Sequence, residues 1–268
     1  MNRLVAEFDR RQPLLTRLGL AHLLLFFVLA LLMPFDHRTI TGVDIWLKPS
    51  KFALSIGTYL LTMAWFFGEL QLRRHAVRAV AAAVAVAIAL AMTTEQALIT
   101  LQAARGTTSH YNFATPFDVA VFRTMGLGVA LNSVAVGGAL VLFLLHRDGP
   151  DRAAYLWGIR LGLAVFLLGS LEGMQMIARG AHTVGLADGG PGIFLFNWST
   201  QAGDLRIAHF LGIHALQAMP ATGWLIDRAW HGRGILKRSA IVCVTTAWAA
   251  LTYSAFAAAI HGSPGVFG

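Results

Sequence analysis

The sequence predicts an all-α membrane protein with seven transmembrane helices. Of its 268 residues, 56% are hydrophobic and only 13% are charged, and the mean hydropathy is +0.63. A soluble domain of ordinary composition has about 25% charged residues, so the chain falls outside that class. Apolar runs of about 20 residues recur along its length. Each run is long enough to cross roughly 30 Å of hydrocarbon as a helix.

The predicted spans follow from these apolar runs. They cover 18–35, 51–70, 79–104, 117–146, 153–179, 205–227 and 237–260. The connections between them are short, which favours antiparallel neighbours in one bundle. Residues 1–268 are therefore expected to form a single seven-helix transmembrane domain. The first run lacks a small-residue cleavage site, so we interpret it as a span and not as a secretory signal.

The distribution of basic residues predicts the orientation. Cytoplasmic loops of membrane proteins carry an excess of lysine and arginine. With the N-terminus inside, the inner ends and loops hold 14 of the 21 basic residues: Arg3, Arg10, Arg11, Arg17, Arg73, Arg74, Arg78, Arg147, Arg152, Arg160, Arg228, Arg233, Lys237 and Arg238. This predicts a cytoplasmic N-terminus and a periplasmic C-terminus in a bacterial inner membrane. The net charge of +8 then reflects topology and contact with membrane lipids, and no nucleic-acid partner is expected.

Spans 3 and 5 share a sequence pattern that suggests a duplicated helical hairpin. Each has an intramembrane glutamate followed by Ala-Arg-Gly and a histidine, and each is followed by a threonine and an aspartate at the next helix start. The paired segments are Glu95 to His110 with Thr115–Asp118, and Glu172 to His182 with Thr200–Asp204. Spans 3–4 and 5–6 would then be parallel copies. The alternative is that helix ends share such residues for generic capping reasons.

The two glutamates mark the predicted site. A carboxylate near the bilayer centre costs about 2.5 kcal/mol or more, so a pair in matching contexts favours one functional site. In the predicted topology, Glu95 and Glu172 lie in the outer half of the membrane. His209 and His214 of span 6 fall within one or two helical turns of that level. We predict these four side chains as the catalytic residues.

A polar rim is expected around that site. The residues predicted to bind substrate are Arg105, Arg179, Arg206, Gln102, Gln175, His110, His182 and Asn132. Lys48 and Lys51 run against the charge bias on the predicted outer side. They can neutralise a lipid, a substrate or a carboxylate, although lysines at such positions usually reach for headgroups.

Three chemistries remain open for this site. The first is a divalent metal held by Glu95, Glu172, His209 and His214, since carboxylate and imidazole suit several transition metals. The second is haem, with His22 paired with His209 or His214. The third is a metal-free polar pocket for acid–base chemistry. The alternative to it is that the same residues form buried ion pairs that only fix the helix register.

Two seven-span classes are disfavoured. Retinal proteins need a lysine deep in the last helix, whereas Lys237 lies at the cytoplasmic end of span 7, where that span begins. Hydrolases resembling alkaline ceramidases need a His-x-x-x-His pair, and His209 and His214 are one residue too far apart. The glycines of span 4, which are Gly126, Gly128, Gly137 and Gly138, are predicted to permit close helix packing.

The function predicted from these observations is a membrane-embedded enzyme that acts on a lipidic or small apolar substrate. Its chemistry would be Glu/His acid–base or metal-assisted. The alternatives are a proton-coupled transporter or a ligand-binding receptor that uses the glutamates as a protonatable switch, and a haem-binding redox protein. The sequence contains no indication of the oligomeric state.

Overall fold

Eight α-helices make up the described part of the chain. The computed structural model describes residues 3–70, 75–146, 150–193 and 195–264. The helices are α1 (Arg3–Arg11), α2 (Pro13–Leu32), α3 (Leu47–Phe67), α4 (His75–Ala104), α5 (Pro116–Leu145), α6 (Ala153–Arg179), α7 (Leu205–Ala229) and α8 (Gly234–Ile260). Two short ribbons, β1–β2 and β3–β4, complete the fold. The all-α prediction is therefore confirmed.

Five of these helices are long and apolar enough to cross a membrane: α2, α4, α5, α6 and α8. The chain is therefore suited to a multi-pass membrane protein. The other two predicted spans form helices α3 and α7 but fall short in apolar character, because α3 begins with lysines and α7 carries histidines and a glutamine. Seven spans and their orientation stay predictions. Of the basic residues that support the orientation, Arg73, Arg74 and Arg147 lie outside the described residues.

The chain divides into two compact units, Met1–Leu142 and Phe143–Gly268. The prediction of a single transmembrane domain stays a prediction, and each unit is described by itself.

The first unit is anchored at its start by Arg11. Its guanidinium donates to Glu7 and Glu69 at 2.7 and 2.8 Å and lies 3.7 Å above the ring of Trp65. Gln12 caps α2 by accepting a hydrogen bond from the backbone N–H of Leu15. These contacts join α1, a helix that the hydropathy pattern alone did not predict, to the end of α3.

Helices α2 and α3 pack closely because glycine lies at their crossing. A side chain at Gly57 would come within 3.0 Å of the carbonyl oxygen of Gly19, and the reverse contact is similar. Small residues of this kind allow membrane helices to approach backbone to backbone. The following ribbon pairs β1 (Thr39–Ile40) with β2 (Val43–Asp44) and positions α3 after its turn.

The second unit is built on an antiparallel α6–α7 pair whose crossing is lined by glycine. A Cβ atom at Gly169 would lie 2.7 Å from Cα of Gly212, and one at Gly162 would lie 2.8 Å from the carbonyl oxygen of Ala215. The pair is therefore in backbone contact, which no larger residue at these positions would permit. At one end, Asp227 of α7 accepts hydrogen bonds from the first N–H groups of α6 and lies 3.3 Å from the ammonium of Lys237.

The connection between α6 and α7 is ordered by its own hydrogen bonds. Strand β3 (Thr183–Val184) pairs with β4 (Gly203–Asp204), and Gly192 forms a bridge with Ser199. Asp188 accepts hydrogen bonds from the backbone N–H groups of His182 and Thr183. The long connection is thus a structured segment in its described residues, with Phe194 outside the description.

Candidate functional site

Glu95 is buried in the first unit, on α4. Only 4% of its surface is exposed. Its Oε1 lies 3.6 Å from Nε2 of His110, a distance that is longer than a hydrogen bond but within the reach of an ion pair. Within the described residues, its Oε2 is buried and has no hydrogen-bond donor. A carboxylate oxygen in this state can accept a proton or a hydrogen bond from a ligand without breaking an existing contact.

The imidazole of His110 also contacts Lys48. Nζ of Lys48, in the first turn of α3, lies 3.1 Å from Nδ1 of His110, and Oγ of Ser109 lies 3.0 Å from the same nitrogen. A protonated lysine carries donors only, so Nδ1 is the acceptor. In a neutral ring the proton then resides on Nε2, which is the nitrogen that faces Glu95. The result is a chain of titratable groups, Lys48–His110–Glu95, which we call the lysine–histidine–glutamate chain.

Aromatic rings surround this chain. The ring centroids of Phe52, Tyr111 and Phe122 lie 6.1 to 6.3 Å from that of His110. Tyr111 has a φ of 54°, a left-handed conformation that is uncommon for a bulky residue. Strained backbone of this kind persists only where the surrounding structure holds it, and it concentrates at functional sites. Here it occurs directly beside the imidazole.

Arg105 and Gln102 hold the start of α5, and their predicted role in substrate binding stays a prediction. Arg105 and Gln102 donate to Oδ1 of Asp118 at 2.6 and 2.8 Å, and Arg105 also donates to Gln102. The backbone N–H of Asp118 donates to Oγ1 of Thr115, which is the helix cap that the sequence predicts. The guanidinium of Arg105 therefore pairs with Asp118 and is not the partner of Glu95.

Asn132, another predicted substrate-binding residue, is buried in α5. Its Oδ1 accepts a hydrogen bond of 2.9 Å from the hydroxyl of Tyr59 on α3. This contact satisfies a polar group inside the first unit, so a structural role accounts for Asn132.

In the second unit, Glu172 and Gln175 line a groove of about 350 Å³ between α6 and α8. The remaining lining residues are Val165, Leu168, Leu171, Ala249, Thr252, Tyr253 and Phe256. Oε2 of Glu172 is buried and has no hydrogen-bond partner in the part of the chain that the structure describes. Glu172 and Gln175 are spaced i, i+3 and form a polar stripe on one face of α6. This stripe was expected to face the bundle interior, but Gln175 is exposed. The stripe lies at an open edge because the glycine-lined side of α6 packs against α7.

The two histidines of α7 have separate surroundings. Nδ1 of His209 lies 2.7 Å from the carbonyl oxygen of Gly169 and donates to it, and the ring lies against Gly173. His214 stacks on Phe210 with a centroid distance of 4.1 Å. The backbone contact fixes one tautomer of His209 and leaves its Nε2 as the acceptor.

The predicted rim of the second unit is largely engaged elsewhere. Arg206 donates to both carboxylate oxygens of Asp204, the N-cap of α7, at 2.9 and 2.6 Å. Nδ1 of His182 lies 2.9 Å from Asp188. Arg179 is exposed at the end of α6. Asp204, and not Thr200, begins α7, so the two predicted helix starts differ in their caps.

The predicted shared site joins Glu95 of the first unit to Glu172, His209 and His214 of the second, and it stays a prediction. Over residues 3–70, 75–146, 150–193 and 195–264, no group of three or more His, Cys, Asp or Glu side chains is arranged to hold a metal ion. The haem alternative, which pairs His22 with His209 or His214, likewise joins the two units and stays a prediction. Nδ1 of His22 is hydrogen-bonded to the carbonyl oxygen of Leu18.

Lys48 contacts His110 in the structure but was not among the predicted site residues. Its signal in the sequence was a lysine on the side of the membrane that otherwise has few basic residues. That signal is ambiguous, because a lysine that reaches a headgroup and a lysine that contacts a buried histidine have the same position in the sequence.

No protein-family model matches the chain, and no curated protein or solved structure shows significant similarity to it.

Proposed function

We propose that this protein is a membrane-embedded enzyme that acts on a lipidic or small apolar substrate by acid–base chemistry at His110 and Glu95. The observation that carries the proposal is the lysine–histidine–glutamate chain, in which an imidazole lies between an ammonium group and a buried carboxylate. The unpaired Oε2 of Glu95 supplies the position where a substrate proton can be accepted.

The chain of contacts has the parts that general acid–base catalysis requires. Lys48 fixes the ring orientation of His110, and the Nε2 proton faces Glu95. The contact of 3.6 Å is loose, as catalytic contacts often are without substrate, and it can tighten when substrate excludes water. Proton transfer from a substrate atom to Glu95 would be coupled to the imidazole through this contact.

The surroundings of the chain favour an apolar substrate. Phe52, Tyr111 and Phe122 offer ring faces around the imidazole, and α4, which carries Glu95, is one of the helices long and apolar enough to cross a membrane. Acid–base chemistry is favoured over metal binding at His110 because Lys48 already contacts Nδ1 and an ammonium group disfavours a nearby cation.

We further propose that the protein lies in the bacterial inner membrane with a cytoplasmic N-terminus and seven spans. The excess of basic residues at one set of helix ends supports this orientation. The connection between α4 and α5, which carries His110, would then face the periplasm. Substrate would reach the site from the outer leaflet.

The proposal is tested by searching for a product. Wild-type protein in lipid nanodiscs is incubated with a bacterial lipid extract and an apolar metabolite fraction, and both are analysed by mass spectrometry. We expect at least one component to be converted and Glu95→Gln to slow the conversion about 100-fold or more. Glu7→Gln, which makes the same change on α1, should keep the activity. The proposal is overturned if the wild type converts nothing or if Glu95→Gln equals the wild type.

Proton-coupled transport is the second candidate, because a line of titratable groups leads from the connection after α4 to a buried carboxylate. It predicts ligand-dependent proton uptake into proteoliposomes, read by an internal pH dye, without any chemical product. An enzyme predicts a product and no such uptake, so the two measurements together separate the candidates.

A further inference from the structure

The groove between α6 and α8 has the form of a binding site that is independent of the lysine–histidine–glutamate chain. All nine lining residues belong to the second unit, and the volume of about 350 Å³ lies within the roughly 300–1,000 Å³ typical of small-molecule pockets. Seven of the nine are apolar or aromatic side chains or a threonine. Such a lining suits a hydrocarbon chain.

Glu172 gives this groove one specific polar feature. Oε2 is buried and lies 3.5 Å from the position that a Cβ atom of Gly212 would take, and it has no hydrogen-bond donor among the described residues. Burying such a group without a partner is unfavourable, so a donor from a ligand would be stabilising. The contact with Gly212 places Oε2 where α6 meets α7, at the edge of the groove.

The charge of the groove selects among ligands. Among the described residues no lysine or arginine lines it, and the ionisable side chains of this lining are Glu172 and Tyr253. A phosphate or carboxylate would meet a carboxyl group without a compensating cation, which is unfavourable. A hydroxyl or an ammonium group, by contrast, can donate to Oε2 of Glu172.

The distance of Glu172 from the end of α6 also limits the polar group that the ligand can carry. Glu172 precedes the end of α6 by seven residues, which is about 10 Å along the helix axis at 1.5 Å per residue. The donor group must therefore lie below the helix end, within the apolar segment. A headgroup that requires full hydration does not fit this position.

We infer that the groove binds a single-chain amphiphile whose polar end is a hydrogen-bond donor, either a hydroxyl or an ammonium group. The apolar chain lies along Val165, Leu168 and Phe256, and the donor meets Glu172. Lateral opening between two helices allows entry from the bilayer, because Leu168 and Leu171 are exposed there.

The test uses three photoreactive probes of equal chain length: a hexadecyl alcohol, a hexadecyl amine and a hexadecanoic acid. Each is crosslinked to the whole protein in nanodiscs, and labelled peptides are mapped by mass spectrometry. We expect the alcohol and amine to label 165–175 and 249–256, with the acid labelling about tenfold less, as the loss of one hydrogen bond implies.

Two variants make the result specific. Ala249→Trp fills the groove and should abolish labelling while leaving Glu172 in place, whereas Ala250→Trp, on the exposed side of α8, should not change it. Glu172→Gln removes the charge but keeps an acceptor oxygen, so it should reduce labelling by the amine far more than labelling by the alcohol, and an unchanged amine signal would contradict the contact with Glu172. Equal labelling by all three probes, or labelling that survives Ala249→Trp, overturns the inference. Neither outcome depends on the activity assigned to Glu95.

Discussion

Nε2 of His110 faces Oε1 of Glu95 across 3.6 Å, although fifteen positions and the end of a helix separate the two residues in the chain. This relationship gives the predicted intramembrane glutamate an imidazole partner within ion-pair distance. It also makes the pair testable without knowledge of the substrate.

The first prediction concerns the coupling of this pair. Glu95→Gln and His110→Asn, measured singly and together by thermal unfolding, should show a coupling free energy of about 0.5–1.5 kcal/mol, since the groups interact in a shielded site. Glu95→Gln with Asn132→Ala provides the control, and these changes should be additive. Full additivity of the first pair would contradict the contact.

The second prediction concerns Asp118, which is buried and accepts hydrogen bonds from three side chains. Asp118→Ala removes the carboxylate oxygen that accepts from both Arg105 and Gln102. Because Arg105 is partly exposed, we expect a loss of about 2–3 kcal/mol in the free energy of unfolding, less than for a fully buried pair. Chemical denaturation measures this change, and a loss below 0.5 kcal/mol, the size of an ordinary surface substitution, would contradict it.

The third prediction concerns the glycine crossing of α6 and α7. Gly169→Ala places a methyl group 2.7 Å from Cα of Gly212, where only backbone can move, so we expect a loss of about 1–3 kcal/mol. Gly137→Ala is the matched control, because a Cβ atom there meets nothing within 4 Å. The control should be neutral or slightly stabilising, since alanine favours helix over glycine. Equal effects of the two substitutions would show that helix propensity dominates.

The fourth prediction concerns pH and the connection after α6. Burial raises the pKa of Asp188, but hydrogen bonds from His182 and Thr183 outweigh it and hold the pKa of this carboxyl well below its usual value near 3.8. The stabilisation is therefore present above pH 4 and is lost as the pH falls through the lowered pKa. The protection of 182–193 against hydrogen exchange, corrected for the intrinsic rate at each pH, should fall in acid, and Asp188→Asn should remove that pH dependence.

The fifth prediction concerns orientation. In a Cys243→Ser background, Leu186→Cys and His231→Cys place single thiols in two connections that the predicted topology assigns to opposite sides. A membrane-impermeant maleimide applied to intact spheroplasts should label position 186 and not position 231. The reverse pattern would invert the topology, and labelling of both would remove the span between them.

The sequence was sufficient to predict the helices but not their partners. Apolar runs gave the seven long helices within a few residues at most ends, because burial in hydrocarbon imposes length and composition directly. The short helix α1 was not predicted, because its nine residues are rich in charge and are too few and too polar for a span, and the contact of Arg11 with Glu69 joins it to a distant part of the chain. Such a contact leaves no local pattern.

The glycines predicted to permit close packing in α5 differ in their surroundings. A Cβ atom at Gly138 would lie 3.1 Å from Cγ2 of Val84, whereas Gly126 and Gly137 meet no described atom within 4 Å. The backbone contacts made by Gly162 and Gly169 of α6 were not predicted. Every one of these residues looks alike in sequence, because the partner helix decides which glycine is needed. The same ambiguity applies to Arg105, whose ion pair with Asp118 has no signal in the sequence and whose substrate role stays a prediction.

The backbone contact between α6 and α7 has a mechanical consequence. Where the two helices touch through glycine, no side chains lie between them to rearrange, so we expect this pair to resist shear. Helix α8 meets α6 through long side chains at the groove and carries few buried residues. We therefore expect thermal motion within the second unit to be largest in α8, so that the groove widens and narrows mainly by movement of this helix.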